Sequence, residues 1–228
     1  MCGRITQKSN PHILCLKIVT LIEPLVGAGE AAPRFNGSPG QDHWVIRQHP
    51  KSGERHLDRL RWGLIPHWIT DPAPKLKPIN ATAERVASAP MFRAAFAKRR
   101  ALVPVDSFFE WAKAKTRGPK QAYAIGMQDG EPFALAGIWE SWRHPETGEI
   151  LRTFCIITTA ANALLAPIHD RMPVIVPPAA FDRWLSPLEP DPRDLLAPFP
   201  DEPMRLWPVS PRVNSPANDD AGILEKAD

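Results

Sequence analysis

The sequence predicts an α+β fold, with a mainly antiparallel, barrel-like β core and short peripheral helices. Three observations lead there. Proline, at 27 of 228 residues, is about twice its usual share of roughly 5%, which disfavours long helices and favours short strands joined by rigid loops. Short apolar runs bounded by turn residues recur through the middle of the chain, while helical periodicity appears only in brief stretches. The length, 228 residues, suits one core rather than two.

In chain order, Leu14, Ile18, Leu21 and Ile22 recur at helical spacing and predict a helix over Ile13–Val26. His43–Arg47 reads as a strand. Met91–Arg99 reads as a helix, with Phe92 and Phe96 one turn apart. Ala101–Val105, Gln121–Met127 and Pro132–Trp139 read as strands, the last two joined by Asp129-Gly130, a hairpin turn signal. Thr147-Gly148 marks a second, longer hairpin loop before a strand over Glu149–Thr159, and Met172–Val176 is a further strand. Pro178–Leu185 is a helix that places Phe181, Trp184 and Leu185 on one face. From Ser186 onward proline and acid dominate, so the chain is expected to wrap the domain irregularly. A single domain is expected over residues 1–215, with a disordered acidic tail over 216–228.

The 43% hydrophobic and 23% charged content is that of a water-borne globular chain. No apolar run reaches membrane-spanning length, because Lys17, Glu23 and Pro24 interrupt the longest. With no signal-peptide cleavage pattern either, a cytoplasmic monomer is expected. The net charge is only +3, but it is unevenly spread. Residues 84–120 carry nine Lys/Arg against Glu84, Asp106 and Glu110, and residues 186–228 carry nine Asp/Glu against Arg193, Arg205, Arg212 and Lys226. This suits a polyanion-binding face and equally suits two solvated surfaces of opposite sign.

Three cysteines, Cys2, Cys15 and Cys155, give an odd count without metal-ligand spacing, so neither a disulfide framework nor a metal site or cofactor is expected. Cys15 and Cys155 lie in apolar runs and read as small core residues. Cys2 lies beside Gly3 and Arg4 in a polar, permissive setting. Once Met1 is removed, Cys2 carries an amine and a thiol on adjacent carbons. The amine can condense with an aldehyde, and the thiol can close on the same carbon to a thiazolidine, a ring closure favoured by proximity. Taken alone, a cysteine at this position more often means nothing.

Its company gives it meaning. Cys2-Gly3-Arg4 is followed by Pro33-Arg34-Phe35-Asn36 and Pro39-Gly40-Gln41, and then by Arg61-Trp62-Gly63-Leu64-Ile65-Pro66-His67-Trp68. Asn80-Ala81-Thr82-Ala83-Glu84 and the run from Arg100 to Trp111, with Val105-Asp106-Ser107-Phe108-Phe109-Glu110, come next. Ala136-Gly137-Ile138-Trp139-Glu140 and His169-Asp170-Arg171-Met172-Pro173 complete the order. From residue 2 to about residue 215 the chain resembles the SRAP (SOS-response-associated peptidase) family, whose members crosslink abasic sites in single-stranded DNA.

The resemblance implies that Cys2 is the nucleophile and that Glu110 handles the proton that opens the closed sugar. It also implies that His169 assists imine formation and that Asn80 positions Cys2 or the sugar. A carboxyl between Phe109 and Trp111 can be desolvated, which raises its pKa toward the range useful for proton transfer. DNA contacts are implied for Arg4, Arg34, Arg61 and Trp62, with Trp68 as the stacking surface; Trp139 and Trp184 read as core. Glu84 reads as a salt-bridge residue. Thr82 stands where the family usually has Arg, Ala101 and Ser107 replace Cys and Gly, and Phe109 stands where Tyr is common. The partner so implied is single-stranded DNA with abasic sites, joined to the protein covalently, with lyase-type cleavage through the imine as a further activity. A thiol peptidase using Cys2, its action limited to Met1, and a non-catalytic single-strand binding module are the competing readings.

Overall fold

In a computed structural model of the chain, the structure describes residues 2–9, 32–49, 52–112, 120–189 and 191–227. The strands are β1 (Ile5–Gln7), β2 (Arg34–Gly37), β3 (Asp42–Gln48), β4 (Arg55–Trp62), β5 (Asn80–Thr82), β6 (Arg100–Val105) and β7 (Ser107–Trp111). They continue with β8 (Ala122–Met127), β9 (Phe133–Arg143), β10 (Ile150–Ala160), β11 (Arg171–Pro173), β12 (Ile175–Val176) and β13 (Met204–Val209). The α-helices are single turns or little more, at Ala83–Val86, Arg93–Lys98 and Phe181–Leu185. The α+β, barrel-like architecture expected from the sequence is the one observed.

Strands β10, β4, β3, β6 and β9 pair in that order, and β9 pairs back onto β10, which closes a five-stranded barrel. A second sheet of five strands, in the order β13-β8-β7-β1-β2, lies against it. Strands β6 and β9 are buried almost throughout because both of their faces are covered, whereas β4 alternates buried Leu57, Leu60 and Trp62 with exposed Arg59 and Arg61. In β10, Phe154 and Ile156 join Cys2, Ile5, Phe108 and Ile125 in one core, whereas Cys155 and Ile157 join Phe96, Trp184 and Leu196 in another. The barrel therefore separates a core shared with the second sheet from a core capped by the helices.

Several expectations are corrected. Asp129-Gly130 does turn, with Gly130 at φ +75° and its N–H donating to Met127 O at 3.1 Å. The strands it joins do not pair, however: β8 belongs to the second sheet and β9 to the barrel. The single strand expected at Met172–Val176 is two, because β11 pairs with β10 and β12 with β9. The end of the chain is ordered over 216–227 rather than disordered. Ile223 is fully buried, and Asp219 Oδ1 accepts from the N–H groups of Phe35 and Asn36 at 2.6 and 2.8 Å. One apolar side chain and one carboxylate fix a stretch whose composition alone reads as solvated. The helix expected over Ile13–Val26, and Cys15 with it, lies outside the described residues.

His43 shows how tightly the barrel closes on the strand after Gly37. The ring is 1% exposed and stands edge-on to Trp62, and a Cβ at Gly37 would come within 2.4 Å of its Cε1. Only Nε2 has a partner, Ser38 O at 3.0 Å, so the ring is neutral with its proton on Nε2. Burial, the largest cause, pushes its pKa down to about 4. The unfolded chain therefore takes up a proton at higher pH than the native one. Stability is complete above the ordinary histidine value and falls as pH drops from about 6.5 toward 4, by on the order of 3 kcal/mol. Urea unfolding at intervals across that window should show this slope in the wild type and lose it in His43→Phe. A slope unchanged by the substitution would show that His43 is not its source.

Candidate active site

The start of the chain is built into the second sheet, where β1 lies between β7 and β2. Ile5 pairs with Phe108 and Gly37, and Phe109 N–H donates to Arg4 O at 3.0 Å. This places Cys2, which is 0% exposed, in the core shared by the two sheets. The sequence suggested an open, polar setting for it; the structure closes it in. Two independent effects act upward on its thiol: burial is the larger, and the negative charge of Glu110 is the second. The thiol is thus held protonated at neutral pH.

Asn80 reaches Cys2 from the other side. Strand β5 runs parallel beside β10, with Asn80 opposite Ile156, and Asn80 Nδ2 donates to Cys2 O at 2.8 Å. Its Oδ1 is buried and has no partner, an acceptor left for an incoming N–H or O–H group. Glu110 comes from β7 on the face it shares with Phe108 and is 3% exposed. Burial raises the pKa of its carboxyl, and the positive charges of the chain's amino terminus and of His169 pull it back only in part. A carboxyl pKa shifted upward moves toward the range in which the group can hand on a proton.

His169 follows the turns between β10 and β11. Its Nδ1 accepts from Arg171 N–H at 3.0 Å, which leaves the proton of the neutral ring on Nε2. Asp170 Oδ1 lies 3.1 Å from the same Nδ1, a contact that becomes an ion pair only when the ring is protonated. When positively charged, the His169 ring acts on the Glu110 carboxyl. The structure thus brings together all four residues singled out for chemistry: Cys2, Asn80, Glu110 and His169.

Arg171, two residues beyond His169, has a structural role that its motif does not reveal. Its two guanidinium nitrogens meet Glu84 Oε1 and Oε2 at 2.7 and 3.0 Å, and one also donates to Thr158 O at 2.6 Å. This fork clamps the segment carrying His169 to the short helix that follows Asn80, and it draws the Glu84 carboxyl down to about 2. Glu84 is therefore the salt-bridge residue expected. No three His, Cys, Asp or Glu side chains converge to hold a metal among the described residues.

The residues expected to grip DNA divide. Trp62 is 1% exposed, bonded to Ile79 O and stacked on Phe154, so its side chain belongs to the core. Arg4 turns inward to Asn36 Oδ1 and Val213 O at 2.6 and 2.7 Å. Buttressing the C-terminal segment is thus its structural task. Arg34 is engaged by Gln41 and Asp219, and Arg61 by Asp42 in a surface pair. Trp68, at 50% exposure, keeps a free indole surface.

The loop that carries Trp68 is held by a network that motif and spacing do not reveal. Glu140, 2% exposed, accepts from Arg99 Nη2 at 2.6 Å and meets His67 Nδ1 at 3.1 Å. Trp142 Nε1–H adds a bond to Ile69 O at 2.8 Å. The only clue in the sequence was a carboxylate closing an apolar strand, Gly137-Ile138-Trp139-Glu140.

These features define a β-barrel protein whose chain start is built into a buried, polar site. The chain belongs to the SRAP family, described as SOS response associated peptidase, whose model matches residues 1–216. Abasic site processing protein YoqW of Bacillus subtilis (strain 168) is 37% identical over 230 residues, covering 99% of both chains. Abasic site processing protein YedK of Escherichia coli (strain K12) is 32% identical over 187 residues, covering 81% of this chain and 79% of that protein. Among solved structures, a protein from Bacteroides thetaiotaomicron aligns over 99% of this chain and 100% of its own, with a TM-score of 0.85 and 26% identity.

Glu140→Gln removes the counter-charge of a largely buried guanidinium, and unfolding should report a loss of about 2–3 kcal/mol. His67→Ala removes a half-exposed partner and should cost less than about 1 kcal/mol. Equal losses from the two substitutions would contradict the assignment of Arg99 as the main partner of Glu140.

Proposed function

We propose that the protein senses abasic sites in single-stranded DNA and, after loss of Met1, captures the sugar aldehyde covalently through Cys2. The observation that carries this reading is the Asn80–Cys2 hydrogen bond at 2.8 Å, beside a carboxyl, Glu110, that acts on the Cys2 thiol and is itself acted on by His169. Relatives named abasic site processing proteins over nearly the whole chain support it. Trp68 supplies a stacking surface for a base of the single strand. One chain holds all four groups, so a monomer suffices.

The chemistry proceeds from the proton positions. The Glu110 carboxyl donates its proton to the ring oxygen of the closed sugar while its other oxygen takes the proton of the anomeric hydroxyl, so the ring C–O bond breaks, the aldehyde is exposed and the carboxyl ends protonated. The amine of Cys2 attacks the aldehyde carbon, and the oxygen leaves as water with its proton supplied by Glu110 or His169, giving an imine. The thiol sulfur then bonds to the same carbon and its proton ends on the nitrogen, closing a five-membered thiazolidine with one water lost overall. A thiol kept neutral by burial suits this order, because it brings the proton that the nitrogen needs. Asn80 Oδ1 can accept from the amine or a sugar hydroxyl. Strand cleavage through the imine is a side path of the same intermediate.

Incubation with an abasic single-stranded oligonucleotide, then heating and a denaturing gel, tests the reading. Cys2→Ala, and a protein with residues retained before Cys2, should give no adduct, whereas Cys155→Ala should give one. Glu110→Gln and His169→Ala should slow adduct formation by roughly 100-fold or more, with binding to an inert abasic analogue nearly unchanged. A heat-stable adduct from a protein whose Cys2 amine is blocked would overturn the proposal.

A further inference from the structure

A second cavity, of about 420 Å³, lies at the far end of the second sheet. Lys8, Asp106, Ser107, Gly126, Arg205, Trp207 and Lys226 are among its lining residues. Ser107 is three residues, about 10 Å, along β7 from Glu110 and faces the opposite side of the sheet. The cavity is therefore distinct from the site at Cys2, and its ligand is independent of the chemistry assigned there.

Its charge is the informative feature. Three cations converge from three separate parts of the chain: Lys8 after β1, Arg205 in β13 and Lys226 near the end. One carboxylate, Asp106, faces them, but it is already engaged. Its Oδ2 accepts from the backbone N–H groups of Lys8 and Ser9 at 2.7 and 3.0 Å, and Oδ1 accepts from Ser9 Oγ. The acidic C-terminal stretch treats its four cations in two ways. Arg193 and Arg212 are neutralised by Asp191 and Asp220 at 2.5 and 2.6 Å. Arg205 and Lys226, the two that line the cavity, make no ion pair among the described residues, although nine Asp/Glu lie in the same stretch.

Beside these charges the cavity has one flat apolar wall, Trp207. Trp207 is held by its Nε1–H to Leu224 O at 2.9 Å, and the Arg205 guanidinium lies 5.0 Å from its ring centroid. Gly126 has no side chain to fill the floor: a Cβ there would stand 3.6 Å from Trp207 Cη2 and 3.2 Å from Asp106 O. The volume falls in the usual range of small-ligand pockets, roughly 300–1,000 Å³. Three convergent cations, one with a planar fork, suit a doubly charged phosphate better than a single carboxylate, and an indole wall suits a planar ring.

We propose that this cavity binds a nucleotide phosphate, with the phosphate on Lys8, Arg205 and Lys226 and the base against Trp207. The ligand is either a free nucleotide or the phosphorylated end of a strand. The test uses the full chain, with Trp207 indole N–H assigned by NMR and titrated with deoxyadenosine monophosphate, deoxyadenosine and inorganic phosphate. The monophosphate should shift the Trp207 signal saturably, and each half-ligand should bind more weakly. Arg205→Gln combined with Lys226→Gln should weaken the monophosphate by roughly tenfold or more, whereas Glu110→Gln should leave its affinity unchanged. Both exchanges are at exposed positions, and a retained melting temperature confirms folding. A 5′-phosphorylated oligonucleotide that binds here more tightly than its unphosphorylated form assigns the ligand to strand ends; equal binding of the two assigns it to free nucleotides. No shift at Trp207, a shift lost with Glu110→Gln but kept in the double variant, or equal binding of inorganic phosphate and monophosphate would overturn the proposal.

Discussion

The chain start is the constraint on which the rest of the site depends. Residues 2–7 form a short edge-to-edge link between β2 and β7, and two hydrogen bonds fix where the link begins. Phe109 N–H holds Arg4 O, and Asn80 holds Cys2 O. The first bond belongs to the second sheet and the second to the strand that runs beside the barrel, so Cys2 is registered against both at once. An N-terminal segment is ordinarily the loosest part of a domain. Here, burial of Cys2 and Ile5 holds it in place, as the proposed closure of amine and thiol on one carbon requires.

Burial also sets the protons. The environment that raises the Cys2 thiol raises the Glu110 carboxyl, and in both cases removal from water is the first cause. A low-dielectric pocket therefore keeps the thiol neutral and shifts the carboxyl toward holding its proton, the conditions on which the proposed reaction rests. The Arg171–Glu84 fork fixes the distance between the arms that carry Asn80 and His169. His43 shows the same principle without function, since a ring sealed in the barrel wall loses its proton for want of water.

How much of this was legible in the sequence depended on the kind of signal. The barrel strands β6, β9 and β10 announce themselves by apolar stretches because both faces are covered there, and β3 by its short run Trp44-Val45-Ile46. Strands β1, β2, β5 and β13 do not: they are short, or carry Arg34, Asn80 or Pro208, and become strands only through their partners. The four candidate site residues were singled out by their motifs and not by their spacing, since 167 positions separate Cys2 from His169 in a chain that only the fold brings together. Charge was the poorer guide. Arg4, read from its motif as a DNA contact, donates to Val213 O, and the acidic ending that suggested disorder is pinned by Asp219 and Ile223. A charged side chain does not reveal from sequence whether its partner is solvent, a ligand or its own backbone.

Intact-mass measurement tests the central claim most directly, using the protein before and after incubation with an abasic oligonucleotide of known mass. Capture by an N-terminal cysteine predicts a protein that lacks Met1 and an adduct equal to protein plus oligonucleotide less one water, with the linkage on the peptide that begins at Cys2. An adduct on a chain that keeps Met1, or one linked at Cys155 or a lysine, would contradict it.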